Sequence, residues 1–194
     1  ELLAVRKTRT EQHVLITTRA GKCIRFQGIN ENGELEVRHM GRVARGVRGI
    51  KLKESDEIAG LEMLENDEEM LLLTVTENGY GKRTAIEKYR VQGRGGQGVI
   101  NMVVDERNGR VVGSVQVHDG DQLMMMTNTG RVIKIPVTNI RETQSRAAKG
   151  VRLMRVEKKE HIVSVTRVVE PEEDDLEESP IEIDEEATEV STEE

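Results

Sequence analysis

The sequence predicts an all-β, propeller-like fold of about three four-stranded blades, with the end of a preceding blade in front and a disordered acidic tail behind. Three observations predict it. One loop pattern, x-R-x-x-x-G-V, recurs as "GRVARGV" (41–47), "GRGGQGV" (93–99) and "SRAAKGV" (145–151). Arg42, Arg94 and Arg146 stand 52 residues apart each time, and Gly46, Gly98 and Gly150 keep the same step. A hairpin signal precedes each loop and a β-rich run follows it. Repeats of roughly 40–50 residues with about four strands each are the mark of propeller blades.

Taken in order, residues 1–12 open with "ELLAVRKT", which reads as the last strand of a preceding copy. The first blade repeat, 13–68, begins with "HVLITTRAGKCIRF", two apolar runs around a turn ending at Gly21, and closes with "EIAGLEML". The second, 69–120, has "EMLLLTVTENGYGKRTAI" with a turn ending at Gly79, then "RVVGSVQV". The third, 121–169, has "DQLMMMTNTGRVIKI" with its turn at Gly130, then "HIVSVTRV". Apolar, β-branched runs flanking Gly-containing turns are hairpin signals. After each loop Ile50, Met102 and Met154 fall in one register, as do Leu52, Val104 and Val156, while Lys53, Asp105 and Glu157 alternate with them. That period of two predicts a strand with one buried face, the methionines filling core. Three copies and a remnant fill only part of a ring and leave strand edges unpaired. Together with a start at Glu1, this reads as a piece of a larger domain.

The net charge of −7 hides a split. Residues 170–194 hold 14 of the 36 acids and no Lys or Arg, leaving 22 acids against 29 bases in residues 1–169. High charge with few large apolar residues is the composition of a disordered tail, either solubilising or regulatory. Cys23 is the only cysteine, which excludes internal disulfides and cysteine-based zinc sites and fits a reducing cytoplasm. No run approaches the ~18 apolar residues of a membrane span.

Gly93, Gly95 and Gly98 satisfy G-x-G-x-x-G, the dinucleotide fingerprint, but strand, turn and strand follow them where that fingerprint requires a helix. What the three loops share is an Arg, a Gly and a Val. Arg45 and Lys149 add a second base in the slot of Gln97, and Arg38, Arg42, Arg45, Arg48, Lys51 and Lys53 stand without an intervening acid. A basic loop once per blade offers a polyanion a track around the rim, unless each Arg instead closes its loop on backbone carbonyls. With only Phe26, Tyr80 and Tyr89 as aromatics, stacking on single-stranded bases is excluded as the main mode. Phosphate contact remains, which positions a duplex without reading its sequence. No acid–base pair, triad, metal cluster or phosphate loop emerges, so no catalytic or metal-ligating residue is assigned. A protein-binding propeller scaffold is the competing class, though it would be expected to expose aromatic anchors.

At "NGYGKRTAIEKY" (78–89), "MGRVARGVRGIKL" (40–52) and the Arg/Gly loops, the chain resembles the C-terminal domains of bacterial DNA gyrase A proteins, over essentially residues 1–169. The resemblance implies a β-pinwheel, a propeller variant whose neighbouring blades exchange strands, with DNA wrapped on its basic outer rim. It implies a DNA-binding set of Arg42, Arg45, Arg48, Lys82, Arg83, Arg94, Arg131, Lys134, Arg146, Lys149 and Arg152. The family's box, Q-[RK]-R-G-G-[RK]-G, is matched by Gln92, Arg94, Gly95, Gly96 and Gly98, whereas Gly93 and Gln97 depart from it. By resemblance 92–98 is a degenerate box in a later blade. It also implies double-stranded DNA, the rest of the gyrase A protein and the gyrase B protein as partners, in a cytoplasmic, nucleoid-associated enzyme. That enzyme, a type II topoisomerase, supercoils DNA negatively, and its ATP and Mg2+ are used by other parts. The same domain type in topoisomerase IV is the alternative.

Overall fold

The computed structural model describes residues 2–9, 11–29, 33, 35–65 and 69–169; the acidic tail expected at 170–194 lies outside the described residues. Those residues hold eleven strands and two 3-10 turns, with no α-helix. Strands β1 (His13–Thr18) and β2 (Lys22–Gln27) form the first hairpin, β4 (Leu71–Thr76) and β5 (Tyr80–Ala85) the second, and β8 (Gln122–Thr127) and β9 (Val132–Pro136) the third. The β-rich runs that close the repeats are β3 (Ile58–Leu64), β7 (Val111–Val117) and β11 (Ile162–Val168). Each pairs antiparallel with the first strand of its own hairpin.

Two further strands, of two residues each, cross between repeats. β6 (Val99–Ile100) belongs to the second repeat yet pairs with β2, setting Cys23 opposite Val99. β10 (Val151–Arg152) belongs to the third and pairs with β5, setting Val151 opposite Gly81. The sheet orders are therefore β3-β1-β2-β6, β10-β5-β4-β7 and, among the described residues, a three-stranded β11-β8-β9. Exchange of the outer strand joins successive blades, as the sequence resemblance implied.

The exchange depends on glycine. Gly98 has φ +68° and a Cβ there would run into the Cys23 carbonyl oxygen; Gly150, with φ +76°, has the Gly81 carbonyl 2.6 Å from that position. Only a residue without a side chain allows both that dihedral and that approach. After the first loop, residues 47–53 form no strand; after the second and third, the predicted strand begins earlier than its apolar register suggests, at Val99 and Val151. Met102 and Met154 lie beyond it in irregular backbone, where the exchanged segment turns away from the sheet, and are buried as core. Residues 2–9 form no strand, because no second strand stands beside them among the described residues; Leu2 and Val5 are exposed.

Burial follows blade position. β4 is buried at every residue because its sheet is covered on both faces. Leu71, Leu73 and Val75 pack with Leu123, Met125, Val137, Ile140 and Ile162 of the third blade. Leu72, pointing the other way, packs with Leu15, Cys23, Leu64, Ile86 and Tyr89. Alternate residues of one strand thus serve two cores, as the pleat requires. β9 reads alternately exposed and half-buried, the pattern of a sheet with one face covered. β7 packs against both β3 and β11, so these strands lie where the blades converge and β6 and β10 lie on the opposite, outer side.

Candidate nucleic-acid interface

Residues 38–53 run as irregular backbone beside the outer edge of the first blade. Arg38, Arg42, Arg45, Arg48, Lys51 and Lys53 are all exposed, and among the described residues none of their side chains makes a hydrogen bond or ion pair. Six exposed cations along one segment, unpaired among the described residues, make a locally positive surface that attracts anions.

The equivalent loops of the later repeats are differently engaged. Arg94 is three-quarters buried; its Nε donates to the Glu36 carbonyl at 2.7 Å and its Nη1 to the Arg48 carbonyl at 2.9 Å. The Glu36 carboxylate lies 3.5 Å from its Nε. The matching box residues surround it: Gln92 donates its backbone N–H to the Arg25 carbonyl at 2.8 Å, and Gly95 donates to the Gly49 carbonyl at 2.7 Å. Arg146 donates from Nη1 to the Ile100 carbonyl. Lys149 is paired with Asp105 at 2.7 Å, a hydrogen bond that holds the Asp105 carboxyl below its ordinary range. Arg131 is paired with Glu160 at 2.9 Å, and Arg152 donates to the Tyr80 hydroxyl at 2.8 Å while lying over its ring. Lys134 is exposed on β9.

Two residues of the expected set belong elsewhere. Lys82 is fully buried, its ammonium donating to Thr84 Oγ1 at 2.8 Å and the Tyr89 hydroxyl at 3.4 Å; burial pulls its pKa down to about 8. It faces a core, not a rim. Arg83 is buried too, donating to the Ile140 carbonyl and pairing with Asp119. It clamps the 3-10 turn Val137–Asn139 as Arg25 clamps Ile86–Lys88, by donating to the Ile86 and Tyr89 carbonyls at 3.0 and 3.2 Å. Both arginines are the fourth of six residues in a hairpin's second strand, where the next repeat returns over them. Conversely Arg90 and Arg141, just past these 3-10 turns, are exposed and 51 residues apart; their near-constant offset from the loop arginines was the available signal.

Among the described residues no three His, Cys, Asp or Glu side chains are grouped to hold a metal ion, and no helix is long and apolar enough to cross a membrane. Tyr80 and Tyr89 are buried hydrogen-bonding residues of the blade interfaces.

A family model described as DNA gyrase C-terminal domain, beta-propeller, matches residues 12–65, 71–118 and 121–168. The chain belongs to the DNA gyrase C-terminal domain family. The DNA gyrase A protein of Klebsiella oxytoca is 43% identical over 175 residues, covering 90% of this chain and 19% of that protein. The DNA gyrase A protein of Staphylococcus aureus (strain MRSA252) is 39% identical over 193 residues, covering 100% of this chain and 21% of that protein. The chain thus spans about a fifth of the length of these gyrase relatives. In fold, it is similar to a solved DNA gyrase A C-terminal domain, with TM-score 0.73, 24% identity, and coverage of 84% of this chain and 52% of that one. The C-terminal domain of DNA topoisomerase IV is equally similar in fold, with TM-score 0.73, 23% identity, and coverage of 82% and 47%. The gyrase-type pinwheel supplies the reason for the exchanged strands: each of the first two hairpins is completed by the repeat that follows it.

Proposed function

We propose that this chain binds duplex DNA through its phosphates along the outer edge of the blades and wraps it, as part of a gyrase A protein. The observation that carries the reading is the row of six exposed cations from Arg38 to Lys53, unpaired among the described residues. A phosphate track of this kind needs no base contacts and gives little sequence preference. Bending a duplex of 20–30 base pairs around a curved rim costs roughly 1–6 kcal/mol, offset by the added phosphate contacts. In the whole enzyme the chain would hold DNA for negative supercoiling, in the bacterial cytoplasm and on the nucleoid. Strand cleavage, ATP and Mg2+ would belong to the rest of gyrase A and to gyrase B. Sequence identity of 39–43% to gyrase A proteins supports gyrase over topoisomerase IV, which the fold alone does not separate.

The test is a salt titration of duplex binding. If about six phosphates are neutralised, log K falls against log salt with a slope near −5. Salt-independent binding, or strong preference for one short sequence, would sink the reading. A protein-binding scaffold would instead hold a protein partner at high salt and ignore DNA.

A further inference from the structure

We infer that Arg94 and Arg146 are positioning residues, latches that hold successive repeats at a fixed pitch and so set the curvature of bound DNA without touching its phosphates. The inference rests on the proposed DNA-binding reading and deepens it.

The latch repeats with the chain. Arg94 Nη1 reaches the carbonyl of Arg48 and Arg146 Nη1 reaches that of Ile100, each 46 residues back. Return bonds accompany them. The Lys51 N–H donates to the Gly96 carbonyl at 2.8 Å, and the Val103 N–H donates to the Ala148 carbonyl at 3.1 Å. Each loop is therefore tied to the preceding repeat by a guanidinium in one direction and a backbone amide in the other. Arg94 spends two donors on two carbonyls, a geometry suited to a planar fork and not to an ammonium. Arg42 holds the same motif position, but its head is exposed and makes no hydrogen bond or ion pair among the described residues. One motif position thus carries two roles: cation on the track at Arg42, latch at Arg94 and Arg146.

A wrapped duplex pulls on whatever curves it, and the strain falls on the joints between blades. Loosening one joint changes the angle between neighbouring phosphate contacts while leaving their number unchanged. Bend and affinity slope should therefore separate.

The full chain and its Arg42→Ala, Arg94→Ala, Arg94→Lys and Arg146→Ala variants would be compared on a duplex carrying a fluorescent donor and acceptor at its ends. Arg42→Ala is expected to make the salt slope shallower by about 0.9, one phosphate. Arg94→Ala and Arg146→Ala are expected to keep the slope and lose end-to-end energy transfer. Arg94→Lys keeps the charge but not the fork, and is expected to behave as Arg94→Ala does. A phosphate contact predicts the reverse: a shallower slope for Arg94→Ala and wild-type behaviour for Arg94→Lys. That result overturns the latch. Circular dichroism checks folding, and Arg94→Lys carries the decision if Arg94→Ala does not fold. A wild-type chain that fails to bind duplex overturns the proposed function instead. The latch is then decided by melting without DNA, where Arg94→Lys must lower Tm and Arg42→Ala must not.

Discussion

Lys82 shows at the scale of one residue how far charge in a sequence can mislead. Its neighbours are hydroxyls and a tyrosine face 5.9 Å away, and among the described residues no carboxylate pairs with it. Burial is the main cause of its lowered pKa, with Arg146 adding to it and Cys23 opposing it. The group's folded pKa of about 8 lies below its ordinary 10.5, so between those values the unfolded chain binds more protons. Stability therefore rises with pH across that window, and the cost of the buried charge is fully present below it. A shift of that size corresponds to about 3 kcal/mol. Tyr89 still donates to Asn101 at 2.8 Å and Thr84 still bonds Thr143 at 2.9 Å without the lysine. Lys82→Met should therefore raise Tm at pH 7, with its advantage over the wild type shrinking as pH climbs from 8 towards 10.5. Thermal melts of both proteins across that range decide it, and a pH-independent difference would reject the argument. The sequence shows Lys82 and Arg83 as two adjacent cations. That both faces of β5 are covered is a property of its neighbours, which no local pattern records.

At the scale of the element, the exchanged strand is the feature with most leverage. Cys23 is buried, pairs with Val99 of β6, and its thiol is pushed up to about 12 by burial. Reagents that need thiolate and access should leave it untouched in the native chain. Gly98→Ala puts a methyl against the Cys23 carbonyl at φ +68°. The left-handed strain alone costs roughly 1–2 kcal/mol. Gly93→Ala, in the same loop, meets nothing within 4 Å and should be close to neutral. The expected outcome is faster thiol labelling of Gly98→Ala than of wild type, with Gly93→Ala unchanged; equal rates would mean that β6 does not guard Cys23. The hairpins and closing strands were legible because runs of five to seven residues carry a period and a turn. The exchange was not legible from the residues themselves. A two-residue strand has no period, and its partner lies in another repeat. Only the resemblance pointed there, while the apolar register of Ile50, Met102 and Met154 marked burial correctly but placed the strand too late at Met102 and Met154 and predicted one at Ile50 where none forms.

At the scale of the whole molecule, the basic body and the acidic tail compose one electrostatic problem. The three loop arginines looked equivalent in sequence because the carbonyls that engage two of them are invisible there. In the structure the later repeats neutralise part of their charge internally, Lys149 on Asp105 and Arg131 on Glu160, while the first repeat's row stays unpaired among the described residues. The 14 acids of residues 170–194 share the sign of DNA phosphates and follow directly on the third repeat. At ~5–6 Å × √n, the random-coil scaling expected of a segment of this composition, 25 residues would reach about 25–30 Å on average, enough for one or two repeats. Its effective concentration at those sites is on the order of millimolar. Deleting residues 170–194 should tighten duplex binding at low salt, and the gain should fade as salt screens both interactions. Tail and track occupy different repeats on this account, so the gain should persist in an Arg42→Ala background and the two effects should add. Loss of the tail effect in that background would place the tail on the first repeat's cations instead. Equal affinity with and without the tail at low salt would leave it as a solubilising segment.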